Sequence, residues 1–172
     1  LEFVVEVVGG RVPREYYPSI RKGIEDAMTK GPLARYPVVG VRAVLLDGSY
    51  HAVDSSDMAF RATSSQCFKK AFLASRPRIL EPIMEVEINT PDDYIGDVVG
   101  DLGTRRGKVI AMRRFRKGSQ KISATAPLGE MFGYSTPLRS MSSGRATFSM
   151  EFERYEPVPE ALAKEIIEGR KA

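Results

Sequence analysis

The sequence predicts an α+β chain built as two small α/β-sandwich domains, and three observations carry that prediction. Short apolar strands alternate with amphipathic helices along the whole chain. A proline-stiffened stretch, Arg76-Pro77-Arg78-Ile79-Leu80-Glu81-Pro82, divides it, and the second half repeats a β-α-β pattern. At 172 residues the length allows one ordinary domain or two small ones. Hydrophobic residues make up 42% and charged residues 28%, a globular mixture that excludes disorder, collagen and a bundle of membrane helices. No basic-then-apolar leader is visible. The single cysteine, Cys67, excludes an intrachain disulfide framework and a cysteine-rich zinc site, and suggests a reducing compartment such as the cytoplasm.

In the first half, a strand is expected over Glu2–Val8, stopped by Gly9-Gly10. A helix follows over about Glu15–Lys30. Its Tyr17, Ile20, Ile24, Ala27 and Met28 share one face, Pro18 falls in its first turn, and Gly31-Pro32 ends it. The apolar run Val38–Leu46 reads as a second strand covered on both faces. Asp47-Gly48-Ser49 is a turn signal, and Ser55 or Ser56 is placed to cap the next helix. That helix is predicted to bury Phe60, Cys67, Phe68, Ala71 and Phe72 and to end near Ser75. Cys67 is thus expected to be a buried, inert thiol.

In the second half, the strand Ile83–Asn89 leads through Thr90-Pro91 to a helix, then to Gly107-Lys108 and a strand. The strand Lys121–Thr125 leads through Ala126-Pro127 to a helix, then to Gly144-Arg145 and a strand. The proline-to-glycine intervals are 16 and 17 residues. Two intercalated β-α-β units of this kind make the split βαβ, or ferredoxin-like, sandwich. Thr90 is the expected cap of the first helix, with Pro91 at its first position and Asp93 as box partner. Tyr94, Ile95, Val98, Val99 and Leu102 face inward, and Gly103 lies past its end. Ala146–Arg154 alternates, with Ala146, Phe148, Met150 and Phe152 on the covered face. A helix over Pro159–Gly169 closes the chain, docked through Leu162, Ile166 and Ile167.

The net charge is +4, and the charge is unevenly spread. Arg105, Arg106, Lys108, Arg113, Arg114, Arg116, Lys117 and Lys121 form a run of eight cations without an acid. Such a run attracts phosphate, although a solvated basic turn explains it as well. No nucleotide-binding P-loop, no nucleophile elbow and no zinc-protease motif is present. His51 with Asp54, Ser55 and Ser56 permits a hydrolytic triad on paper, but one tight turn does not supply the converging groups a triad needs; a loop histidine is the preferred reading. Asp93, Asp97 and Asp101 share a helix face and read as a solvated acidic stripe rather than a divalent-metal site. The segment Asp47–Ser56 mixes glycine, hydroxyls, a phenol and an imidazole, which suit RNA 2′-hydroxyls as well as they suit an ordinary turn.

Six strings in register resemble one family. They are Gly9-Gly10-Arg11-Val12-Pro13-Arg14-Glu15-Tyr16, Asp47-Gly48-Ser49-Tyr50-His51 with Val53-Asp54-Ser55-Ser56, Leu80-Glu81-Pro82-Ile83-Met84, Gly96-Asp97-Val98-Val99-Gly100-Asp101-Leu102, Arg105-Arg106-Gly107, and Glu130-Met131-Phe132-Gly133-Tyr134. They resemble, end to end, the C-terminal part of bacterial elongation factor G, a translational GTPase. The resemblance implies that residues 1–80 are part of domain IV, of ribosomal-protein-S5-domain-2-like fold. It implies that 81–155 are domain V, ferredoxin-like, and that 156–172 are a C-terminal helix. It implies no catalytic residue, metal or cofactor in this chain, with GTP and Mg confined to an upstream G domain.

The partner it implies is the ribosome, and no membrane. Domain IV meets mRNA–tRNA in the decoding site through a tip of Gly48, Ser49, Tyr50, His51, Asp54, Ser55 and Ser56. Domain V meets ribosomal RNA and protein at the stalk base, which gives the run Arg105–Lys121 a partner. A non-physiological dimer through an open sheet edge in the first domain is a further expectation. A ribosome-recycling paralogue, a ribosomal-protection GTPase of the same group and an independent metal-dependent hydrolase are the alternatives. Two departures from the family stand out. Gly129 replaces a capping serine, and Pro137 falls inside the second domain V helix, where an interior proline costs ~3 kcal/mol and predicts a break near Tyr134–Thr136.

Overall fold

The computed structural model describes residues 1–171. The chain divides into two units, one of Ile79–Val158 and one of Leu1–Arg78 with the segment from Pro159 onward.

In the first unit, β1 (Glu2–Val5) and β2 (Arg42–Leu45) form a two-stranded parallel sheet, joined through α1 (Tyr17–Thr29). A single 3-10 turn, Arg14–Tyr16, leads into α1 with Pro18 at its start. α2 (Asp57–Ala74) follows, capped by Ser56, whose hydroxyl accepts the Ala59 N–H at 3.1 Å. α1 buries Ile20, Gly23, Ile24 and Ala27. A Cβ on Gly23 would collide with the Ser64 hydroxyl and the Arg61 carbonyl, so this glycine is what lets α2 approach.

The covered line of α2 is Phe60, Ser64, Phe68 and Phe72, a strict i, i+4 stripe. Cys67 and Ala71 lie one position off that stripe and are exposed, contrary to the expected burial of both. β2 is also less covered than its apolar composition suggests. It alternates, with Arg42 and Val44 exposed and Ala43 and Leu45 half-buried, because only one face of this small sheet meets the core of Val12, Ile20, Ile24, Ala27 and Phe68. β1 ends at Val5, so Val8 is exposed. α6 (Glu160–Lys171) groups with this unit, its Leu162, Ile166 and Ile167 half-buried.

The second unit is a four-stranded antiparallel sheet in the order β4-β5-β3-β6, from β3 (Leu80–Pro91), β4 (Lys108–Arg116), β5 (Ser119–Pro127) and β6 (Thr147–Pro157). With α3 (Ile95–Thr104) between β3 and β4, and α4 (Leu128–Met131) and α5 (Ser135–Met141) between β5 and β6, this is the predicted split βαβ arrangement. Val86, Ile88, Val98, Leu102 and Ile122 are fully enclosed. Pro82 is tolerated in the central strand because it lies one residue beyond the part of β3 that pairs with β5.

Four local expectations are corrected. Thr90 does not cap a helix. It is the buried end of β3, and a 3-10 turn, Asp92–Tyr94, comes before α3 without a side-chain cap. Gly103 stays inside α3, and the left-handed residue after the helix is Arg106, at φ 58°. The break before Pro137 falls slightly upstream of the expected place, at extended Phe132 and left-handed Gly133 (φ 72°). Pro137 then sits in the first turn of α5, where no N–H is needed. Phe152 shares a face with Met84 across the sheet yet is 55% exposed, its ring lying 5.1 Å from that of Tyr155. Among the described residues no helix is long and apolar enough to cross a membrane.

Candidate nucleic-acid interface

The loop that follows β2 carries the predicted tip. It starts at Asp47, whose carboxylate accepts the Gly48 N–H at 2.8 Å and the Arg11 Nη1 donor at 2.8 Å. The Gly48 N–H first, then the Arg11 guanidinium, hold this carboxyl below its usual range. A Cβ on Gly48 would press into buried Val12, so the loop passes close over residues 11–12. The Tyr50 ring lies 6.0 Å from that of Tyr16, which in turn stacks on Phe60 at 4.4 Å.

Beyond Tyr50 the backbone closes on itself. The His51 carbonyl accepts the Asp54 and Ser55 N–H groups at 3.2 and 2.9 Å, and the His51 N–H donates to the Ser55 hydroxyl at 3.0 Å. Both backbone groups of His51 are therefore used within the turn, while its side chain is exposed. Ser49 and Asp54 are exposed beside it, and Val53 is 94% exposed. The seven predicted tip residues thus form one loop; Gly48 carries it close over Val12, and the other six divide between two roles. The Ser55 and Ser56 hydroxyls lock the turn and the helix cap, and Ser49, Tyr50, His51 and Asp54 present polar groups outward. Among the described residues the His51 ring has no hydrogen-bond partner that could orient it as a base. Sequence reasoning did not single out Arg11 and Tyr16 as supports of this loop. Their motif is visible in the sequence, but its proximity to residues 47–50 is a tertiary fact.

The basic run separates more sharply. Arg105 donates to the Asp101 carboxylate at 2.8 Å and to the Glu130 carbonyl at 2.7 Å, with its guanidinium 4.9 Å over the Tyr134 ring. Arg106 grips Glu81 with two donors, at 2.7 and 2.8 Å, and reaches Glu130 at 3.3 Å. The backbone supports this corner. The Gly107 N–H donates to the Leu102 carbonyl and the Arg106 N–H to the Gly103 carbonyl, the paired closure of a Schellman end. Lys121 pairs with Glu87 at 2.8 Å. Arg105, Arg106 and Lys121 thus have carboxylate partners within the chain, which sets them apart from the other five cations of the run. Lys108, Arg113, Arg114, Arg116 and Lys117 are exposed on β4 and the turn after it and, among the described residues, form no ion pair. Asp101 is likewise taken by Arg105, and among the described residues no group of three or more His, Cys, Asp or Glu could hold a metal.

Fold and surface together define the class: a pair of small α+β domains whose distinctive polar groups sit on an exposed loop and a strand edge. The family model for elongation factor G domain IV matches residues 1–76, and that for the elongation factor G C-terminus matches residues 78–166. The chain belongs to the elongation factor G family and corresponds to its domain IV and C-terminal domain. It is also similar to a crystal structure of a protein from Thermus thermophilus, at 37% identity and TM-score 0.87. That similarity covers 99% of this chain and 26% of the other.

Proposed function

We propose that this chain is the ribosome-contacting C-terminal part of a cytoplasmic elongation factor that promotes tRNA–mRNA translocation, and that it acts by position without catalysis of its own. The observation that carries this reading is the tip. Its backbone is fixed by its own hydrogen bonds, which leaves the imidazole, phenol and hydroxyl groups of His51, Tyr50 and Ser49 outward. Groups of this kind suit 2′-hydroxyls and the shallow groove of an RNA duplex, which can be read by shape without sequence. A factor that serves every codon needs that independence. A loop whose backbone is already closed also spares the backbone ordering cost of roughly 1–2 kcal/mol per residue that a mobile one incurs on binding.

The test uses the longer factor that carries this chain, with Cys67→Ser to remove its exposed thiol and Ser49→Cys to receive an iron chelate. Bound to ribosomes after translocation, the tethered iron is expected to cleave small-subunit RNA at the decoding site. Cleavage confined to other regions, or none above that of the unlabelled factor, contradicts the reading.

A further inference from the structure

We propose that Asp47 is a site of spontaneous covalent modification, where the Gly48 backbone nitrogen closes on the Asp47 side chain to give a succinimide and then isoaspartate, and that Arg11 restrains the reaction. The proposal is independent of what the tip touches.

Asp47-Gly48 is the one Asp-Gly step in the sequence. A glycine leaves the nitrogen that follows the carboxyl uncrowded. The structure adds proximity. The Gly48 nitrogen lies 2.8 Å from Asp47 Oδ1, one bond away from the carboxyl carbon it attacks. Among the described residues that N–H has no other acceptor. Both residues are exposed, so the carboxyl has room to turn and water has access. Packing also fixes the glycine in place, because a Cβ on Gly48 would lie 2.7 Å from a Val12 methyl group. The residue that permits the reaction is thus the one the loop requires.

Other aspartates lack this combination. Asp54 is exposed in the same loop, but the Ser55 N–H is committed to the His51 carbonyl at 2.9 Å. Asp101 lies inside α3, where the next N–H is a helix donor.

The atoms balance with water alone. The Gly48 nitrogen bonds to Asp47 Cγ, and the hydroxyl of the neutral carboxyl leaves with the nitrogen's proton as water. Solvent water then opens the ring. Breaking the new Cγ–N bond returns aspartate. Breaking the original main-chain bond gives isoaspartate, which puts an extra methylene in the main chain between β2 and the tip. The carboxyl must be protonated before its oxygen can leave. The Gly48 N–H first, then the Arg11 guanidinium at 2.8 Å from Oδ2, favour the ionised form. The contact that brings the nitrogen close therefore also slows its attack, and Arg11 adds to that restraint.

The experiment ages the full chain in warm, mildly acidic buffer made with heavy-oxygen water. Peptide mapping by mass spectrometry, with a protein isoaspartate methyltransferase as counting reagent, then locates the product. Isoaspartate carrying the heavy label is expected at position 47 several-fold above that at Asp54. Arg11→Ala is expected to speed it by about 1.5- to 5-fold, the span an exposed ion pair sets. Arg11→Lys, which keeps the charge, is expected to stay near the parent rate. Product at position 47 no higher than at Asp54, an Arg11→Ala rate equal to that of the parent, or Arg11→Lys as fast as Arg11→Ala overturns the proposal. If Arg11→Ala loses the native circular dichroism, Asp47→Asn provides the reading. Its amide leaves as ammonia without prior protonation of a carboxylate, so conversion is expected to outpace the parent, and a rate at or below the parent's overturns the proposal.

Discussion

The two units solve burial in different ways. The second encloses the apolar side chains of Val86, Ile88, Val98, Leu102 and Ile122 completely between a four-stranded sheet and its helices. The first has no fully buried residue in either strand. Its tightest packing is between α1 and α2, at Gly23. One unit therefore draws its stability from a sheet core and the other from a helix pair. The predicted tip leaves the less enclosed sheet and compensates with its own hydrogen bonds and the Arg11–Asp47 tether.

That contrast breaks most visibly in the sheet core. Leu102→Ala removes a fully enclosed side chain and is expected to cost about 3 kcal/mol or more, read by urea denaturation of the full chain. In the helix pair the damaging change is an addition, Gly23→Ala. The colliding Arg61 carbonyl is backbone and cannot swing aside, so about 1–3 kcal/mol of destabilisation is expected from a single added methyl group.

Next comes the Arg106 corner. Arg106→Ala leaves Glu81, itself 16% exposed, without its bidentate partner, at about 1–2 kcal/mol. Arg106→Gly loses the same contacts but relieves the left-handed φ of 58°, so it is expected to be the milder change by about 1 kcal/mol. The reverse order would show that the backbone there carries no strain.

Tyr134→Phe goes the other way. The phenol is buried without a hydrogen-bond partner among the described residues, and burial, together with the Asp101 carboxylate, pushes it up to about 12. Removing that oxygen is expected to leave stability unchanged or raise it by up to about 1 kcal/mol.

The smallest effect on stability belongs to the tip. His51→Ala is expected to change unfolding by less than about 0.5 kcal/mol, since the exposed ring supports nothing in the fold. The tether beside it carries a pH signature. Asp47 in the folded chain lies below its ordinary value of 3.8. Its contribution is therefore present at neutral pH and lost only as the pH falls from that value through the depressed one. The protection factor of the Gly48 amide, with the intrinsic pH dependence of exchange divided out, is expected to fall in that acid window and to stay level above it.

Much of the second unit was legible because its signals are local and repeated. The two proline-to-glycine intervals, the alternation of β6 and the helix faces of α3 follow from period and punctuation alone. The failures came where a neighbour decides. Cys67 looks apolar by composition, yet the stripe of α2 is set by what α1 offers at Gly23, and it runs through Ser64 instead. Thr90-Pro91 reads as a cap because β3 was expected to stop at Asn89, where its pairing with β6 does end; pairing with β5 carries the strand two residues further. For the site, the tip was legible as a motif. The division of the basic run was not, since Glu81, Glu87 and Glu130 lie far from it in sequence and come to it only through the sheet and the α4 turn.

The central claim, that the tip acts by position and not by chemistry, is tested most directly in the longer factor by measuring two rates on one preparation of His51→Ala. The account predicts that single-turnover tRNA–mRNA movement slows by roughly tenfold or more, the loss of about 1.4 kcal/mol of barrier reduction, while ribosome-stimulated GTP hydrolysis stays at the wild-type rate. Movement at the wild-type rate, or hydrolysis that slows in step with it, contradicts the account.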